Sequence, residues 1–180
     1  MFSGKTEEVL RRLRRADIAK QGVCLVRPMN DTRTLTVQAH SGGPGRLPDI
    51  VAVMADLGLA FDHISSNDSM PADHPTVVVL DESQFFEADT LVEFCRKLVR
   101  RGNRVIVAGL DLDWHGEPFM GIARLAAEAD EVVKLAAVCV RCGVPATRSH
   151  KIVAGTDRVD VGGSDKYEAH CLGCFLEATT

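Results

Sequence analysis

The chain opens Met1-Phe2-Ser3-Gly4-Lys5-Thr6, and Ser-Gly-Lys-Thr is how the phosphate-binding pattern G-x-x-x-x-G-K-[ST] ends. In such a loop, backbone amides and the start of the next helix cradle phosphates. Lys5 would reach the outer phosphates and Thr6 would bind Mg²⁺. A charged chain start accounts for the same four residues without any ligand. Thr76–Glu82, "TVVVLDE", adds a run of β-formers ending in two acids. A nucleotide-binding sheet places its magnesium-orienting carboxylate at the tip of a buried strand, which points to Asp81. The plainer account is that strands end at the surface, where acids are common. If Glu82 continues the strand, it points away from Asp81, so one acid serves the metal while the other addresses a substrate hydroxyl.

Four of the six cysteines form two pairs, Cys139-x-x-Cys142 and Cys171-x-x-Cys174. Such pairs supply the four thiolates of a closed, tetrahedral structural Zn²⁺ site. Two disulfides or free core thiols are the other readings. The interval 143–170 is long, so a sizeable loop must project between the pairs. Cys24 and Cys95 lie in apolar segments and read as core residues. His150 and His170 read as satisfied or exposed histidines. Asp113, Trp114 and His115 follow a strand end, the edge where open α/β sheets bind ligands. Trp114 is there either as a stacking platform or as a lid over the core.

The elements that must position these groups follow from periodicity. Residues 5–20 carry Val9, Leu10, Leu13, Ala16 and Ile18 at helical spacing. Residues 22–28 read as a buried strand and 29–48 as a Gly/Pro-rich loop. The segment 47–58 reads as a helix between Pro48 and Gly58, and 60–65 as a further strand. Then come a strand at 76–82, a helix at 87–102 and a strand at 103–111. Strands that are apolar throughout, alternating with helices, indicate a parallel sheet covered on both faces. Composition shifts after residue 138, giving an α/β domain at 1–138 and a small second domain at 139–180.

With 46% hydrophobic and 26% charged residues, the composition is that of a globular chain. No apolar run reaches the length of a membrane span and no signal peptide is evident, so the cytoplasm is expected. The net charge of −4 offers no footprint for nucleic acid or an anionic membrane, which weighs against a DNA-binding zinc ribbon. Lys5, Arg11, Arg12, Arg14 and Arg15 read first as a solvated helix face beside Glu7 and Glu8, and second as a polyanion site.

Taken together, these residues resemble the type II thymidine kinases, a cytosolic and bacterial family. The family's G-P-M-F-S-G-K-[ST] loop is matched from Met1 to Thr6. Its DE-x-QFF is matched by "DESQFF" (81–86), and its LD-x-x-F-x-x-x-PF by "LDLDWHGEPF" (110–119). "VVKLAAVC" with its cysteine pair and "GGSDKY" before the second pair complete the match. The resemblance implies a P-loop (RecA-like) fold with a small zinc-binding lasso domain. It implies ATP-dependent phosphorylation of the thymidine 5′-hydroxyl, with ATP, Mg²⁺ and structural Zn²⁺, in a homotetramer or homodimer. Glu82 falls at the catalytic base, and Asp81 would orient Mg²⁺ through water together with Thr6. The ATP side would comprise Met1, Phe2, Ser3, Gly4, Lys5, Thr6, Arg33, Asp81, Glu82, Ser83 and Gln84. The nucleoside side would comprise Met1, Phe85, Leu110, Trp114, Phe119, Thr147, Val159, Asp160, Val161, Gly162 and Tyr167. The loop between the cysteine pairs resembles the family's lasso, which closes over the base and reads it largely through backbone groups.

This sequence departs from the pattern in three places. Trp114 stands where the family usually has phenylalanine, and residues 41–75 match poorly. The family pattern also places a strand and Gly-Pro before the loop methionine. The expectation is that the protein begins upstream, leaving this chain without the sheet's first strand. An inactive or fragmentary relic of such a kinase, acting as a zinc-stapled nucleotide-binding or interaction module, is the other reading.

Overall fold

Val23–Pro28, "VCLVRP", forms strand β1, and every residue of it is buried. Such a strand belongs in the middle of a sheet covered on both faces. In the computed structural model, β1 pairs in parallel with β2 (Ile50–Met54) on one side and with β3 (Val77–Leu80) on the other. Strand β4 (Arg104–Val107) extends the sheet beyond β3, again in parallel, giving the order β2-β1-β3-β4. The structure describes residues 2–29, 57, 76–158 and 162–179, together with the backbone of 50–54.

The chain divides into two compact units, Thr6–Gly109 and Leu110–Thr180, the latter including Met1–Lys5. The sheet belongs to the first. Helix α1 (Lys5–Ile18) brings Val9, Leu10, Leu13 and Ala16 onto the sheet face made by Val23, Leu25, Val77 and Val79. Those strand residues alternate, as the period-2 geometry of a strand requires. The intervening Cys24, Val26, Val78 and Leu80 are buried as well. Helix α1 stops where Lys20 turns left-handed (φ 54°), with Gln21 N–H donating to the Ala16 carbonyl and Lys20 N–H to that of Asp17. This closing pattern usually uses glycine. Helix α2 (Ala88–Arg100) is capped by Glu87, whose carboxylate accepts the Asp89 and Thr90 amides and is thereby held down to about 2. It buries Leu91, Val92, Phe94, Cys95 and Leu98.

The segment 47–58 is not a helix over residues 50–54, which form β2. Ile50, Val51 and Val53 are β-branched, and pairing with β1 from Cys24↔Ile50 to Pro28↔Met54 satisfies the backbone there. The expected loop at 29–48, apart from Met29, and the expected strand at 60–65 lie outside the described residues.

The second unit is built from short pieces. A hairpin-like loop over 111–119, closed by Leu112 opposite Pro118, leads into helix α3 (Met120–Glu128). Strands β5 (Ala137–Val138) and β6 (Pro145–Ala146) pair antiparallel, as do β7 (Arg148–Lys151) and β8 (Tyr167–His170). Helix α4 (Leu172–Thr179) closes the described chain. Among the described residues, no helix is long and apolar enough to cross a membrane.

Candidate active site and metal centre

In the sheet unit, Asp81 follows the last residue of β3, at the carboxyl ends of parallel strands. Both its oxygens are engaged. Oδ1 accepts the Glu82 amide at 3.0 Å, and Oδ2 meets Arg27 Nη2 at 3.2 Å. Arg27 comes from the end of β1, and both side chains are about 95% buried. A buried arginine beside a buried carboxylate fixes the carboxylate's orientation. Sequence reasoning missed Arg27. The signal was a lone charged residue inside an apolar strand run.

Glu82 corrects the expectation that both acids ride one extended strand. β3 ends at Leu80, and Glu82 adopts a left-handed backbone (φ 52°, ψ 38°) leading into a 3-10 turn, Ser83–Phe85. A non-glycine residue there costs about 1–2 kcal/mol, and the surroundings hold it in place. Ser83 N–H donates to the Ala108 carbonyl beyond β4 at 3.0 Å, and Ser83 Oγ donates to the Leu80 carbonyl at 3.1 Å. The two acids therefore diverge through a turn rather than through strand alternation. Gln84 Nε2 donates to Glu82 Oε2 at 2.7 Å, and both residues are buried. Strain at such a point is a feature that active sites retain. The structure thus gathers Asp81, Glu82, Ser83 and Gln84 into one turn, with Phe85 half-buried at its end.

Ser3, Gly4 and Lys5 belong to the other unit. Phe2 (φ 58°) and Gly4 (φ 75°) both have positive φ, so the chain bends sharply just before α1 begins at Lys5. Amides in such a bend ahead of a helix form an anion-binding concavity. Two arginines of the basic cluster are engaged on their own helix. Glu8 accepts from Arg11 at 2.7 Å and from Arg12 at 2.8 Å, which holds its carboxyl at about 2. Met1, Arg33, Val159, Asp160 and Val161 lie outside the described residues.

In the second unit the four cysteines converge: the Sγ atoms of Cys139, Cys142, Cys171 and Cys174 lie within 4.8 Å of one another. Thiolates around one tetrahedral Zn²⁺ stand about 3.8 Å apart, close to the 3.6 Å between Cys142 and Cys171. All six cysteines are free thiols, which removes the disulfide reading. The Cys139 turn closes through Gly143 (φ 79°), whose amide donates to the Cys139 carbonyl. The sulfurs compete for charge. Cys139 is held down to about 6, first by the Cys171 amide, whereas Cys174 is pushed up to about 12 by the thiols of Cys171 and Cys142. A dication would let all four ionise, so the donor set fits structural zinc. Cys24, by contrast, is pushed up to about 12 by burial alone, as an inert core thiol should be.

The loop between the pairs stands on the β7–β8 ribbon. His170 is buried against His150, the rings stacked with centroids 4.8 Å apart. Tyr167 is buried, whereas Thr147 and Gly162 are half-buried. Leu110, Trp114 and Phe119 are also half-buried. Trp114 lies against residues 151–158: its Nε1–H donates to the Asp157 carbonyl at 3.0 Å, and Lys151 Nζ sits 5.0 Å from its ring centroid.

The matches to known proteins agree with these arrangements. The thymidine kinase family model matches residues 1–175. The chain belongs to the thymidine kinase family. A thymidine kinase of Chloroflexus aurantiacus is 42% identical over 99% of this chain and 91% of its own length. That of Rhodothermus sp. is 41% identical over 97% of the chain and 77% of its own. That of Coprothermobacter proteolyticus is 44% identical over 95% and 84%. Family membership carries a P-loop α/β fold, a nucleoside kinase activity and the use of ATP.

Proposed function

We propose that the protein transfers the γ-phosphoryl group of ATP to the 5′-hydroxyl of thymidine, giving thymidine monophosphate and ADP. The observation that carries this most is the buried Asp81–Glu82 turn at the carboxyl end of a parallel sheet, in a chain matched to thymidine kinases from residue 1 to 175. Glu82 accepts the proton of the 5′-hydroxyl as its oxygen bonds to the γ-phosphorus. The bond from that phosphorus to the β,γ-bridging oxygen breaks, and ADP leaves. Gln84 orients the Glu82 carboxylate. Phe2, Ser3, Gly4, Lys5 and Thr6 hold the phosphates, with Met1 and Arg33 alongside. Asp81, oriented by Arg27, would hold Mg²⁺ through water with the Thr6 hydroxyl. Bound Mg²⁺ would neutralise charge on the transferred group.

The family likeness assigns Phe85, Leu110, Trp114 and Phe119 to contacts with the nucleoside. Backbone groups around Thr147, Val159–Gly162 and Tyr167 read the thymine edge. Zinc on Cys139, Cys142, Cys171 and Cys174 pins both ends of that reading loop. Thiolate ligands of this kind persist in a reducing cytoplasm. The family likeness further suggests two or four copies per assembly, which light scattering tests directly. A family match spanning residues 1–175 does not favour an inactive relic.

The reading is tested by incubating the full chain with ATP, Mg²⁺ and thymidine and identifying the product by mass and by phosphorus NMR. A thymidine 5′-monophosphate formed in step with ADP is expected. Zinc-loaded, folded protein that releases no ADP on addition of thymidine would contradict it.

A further inference from the structure

We infer that Asp113, Trp114 and Arg158 form a latch that holds segment 152–158 onto loop 111–119, positioning the reading loop for the nucleoside. The inference rests on the nucleoside-site reading above, but its structural half is independent of it. Asp113 is the anchor. Its side chain is 99% buried, yet it carries three contacts. Oδ1 accepts the amides of His115 at 3.0 Å and Glu117 at 2.9 Å, and Oδ2 accepts Arg158 Nε at 2.6 Å. The first two fix the turn that carries Trp114, and the third ties that turn to the far side of the loop.

Arg158 makes two more contacts with the same turn. Its Nη2 donates to the Pro118 carbonyl at 2.9 Å, and its guanidinium carbon lies 5.4 Å from the Phe119 ring centroid. Trp114 reaches across one residue away, through Nε1–H to the Asp157 carbonyl. A phenylalanine at this position would keep the ring and lose the tie. Lys151, over the Trp114 ring, also donates to the Gly155 carbonyl at 3.4 Å. Gly155 sits at φ 145°, where a Cβ would lie 2.9 Å from Lys151 Nζ. The segment is thus tied at both flanks by side chains, with exposed backbone between them. Such ties open and close with little change elsewhere.

Trp114 is the chain's one tryptophan, so fluorescence excited selectively at tryptophan, outside the absorption of Tyr167, reports the surroundings of this side chain. The full-length, zinc-loaded protein is compared with Arg158→Gln, Arg158→Lys and Trp114→Phe. In Arg158→Gln, acrylamide quenching of Trp114 and amide exchange over 152–158 are expected to rise without thymidine present. The thymidine KM should rise about tenfold or more, the loss expected for a charge-assisted hydrogen bond, while kcat and the ATP KM hold. Arg158→Lys keeps the charge and should recover part of that loss. Trp114→Phe should raise exchange over the same residues. Unchanged quenching and exchange in Arg158→Gln would overturn the latch, whatever the activity. Faster exchange with an unchanged thymidine KM would overturn its positioning role. Failure of the wild-type chain to bind thymidine would instead sink the nucleoside reading, with quenching still deciding whether the latch exists.

Discussion

Leu13, Leu25, Val77 and Val79 of the sheet unit are almost wholly closed off from water, whereas a core cluster of the second unit is built from Ala137, Cys139, Ala146 and Ala169. Branched aliphatic side chains each contribute roughly 1.5–3 kcal/mol on burial; alanines contribute far less. The second unit relies instead on four converging sulfurs and on polar ties such as Arg158–Asp113. The contrast explains a division of labour. On the proposed reading, the acids that must stay fixed during phosphoryl transfer sit on apolar packing. The loop proposed to admit and release a nucleoside hangs from contacts that can break singly.

Removing the zinc proposed for the four cysteines tests that comparison hardest. Structural zinc contributes about 10–16 kcal/mol in small zinc-dependent folds, so a strong chelator should unfold the second unit. Amide exchange over 137–151 and 167–179 should then rise to that of a free chain while β1 and β3 stay protected. Equal loss of protection in β1 and β3 would mean the two units are not separately stabilised. Damage in the opposite direction should be smaller. Arg27→Met takes from the buried Asp81 its ion-pair partner, a change that costs about 3–5 kcal/mol. The denaturant midpoint should fall accordingly, with zinc content by elemental analysis unchanged.

Much of the sheet unit is legible in the sequence because its strands are continuous apolar runs and its helices carry regular apolar stripes. The cysteine centre is legible for a different reason: pairs at C-x-x-C spacing bring ligands together locally. Residues 50–54 are misread because Pro48 and Gly58 bracket a segment whose end signals suit a helix. Only the parallel partner β1, which periodicity does not reveal, makes it a strand. Glu82 is misread for the same reason. The strand pattern runs on through "LDE", yet the bond from Ser83 N–H to Ala108 turns the chain. Arg27 and Asp81 are 54 residues apart, and only the pairing of β1 with β3 brings them together.

The smallest effect sharpens the comparison at the surface of the sheet unit. Glu8, held at about 2 by Arg11 and Arg12, lies below its usual value, so its contribution is present above about pH 4.5 and fades as pH falls through 2. Glu8→Gln should cost only about 0.3–0.5 kcal/mol per pair. Exchange of the α1 amides should show that difference between variant and wild type steady from pH 7 to 4.5 and shrinking below. A cost of several kcal/mol would mean that α1 depends on its charges rather than on Val9, Leu10 and Leu13.

The central claim, that Glu82 is the base held ready by a strained and buried turn, is tested most directly by Glu82→Gln. Turnover of thymidine should fall by about 10²–10⁴-fold, the range for loss of a positioned base, while ATP affinity by calorimetry and the melting temperature stay near wild type. Turnover within a few-fold of wild type, or equal loss of ATP binding and turnover, would contradict it.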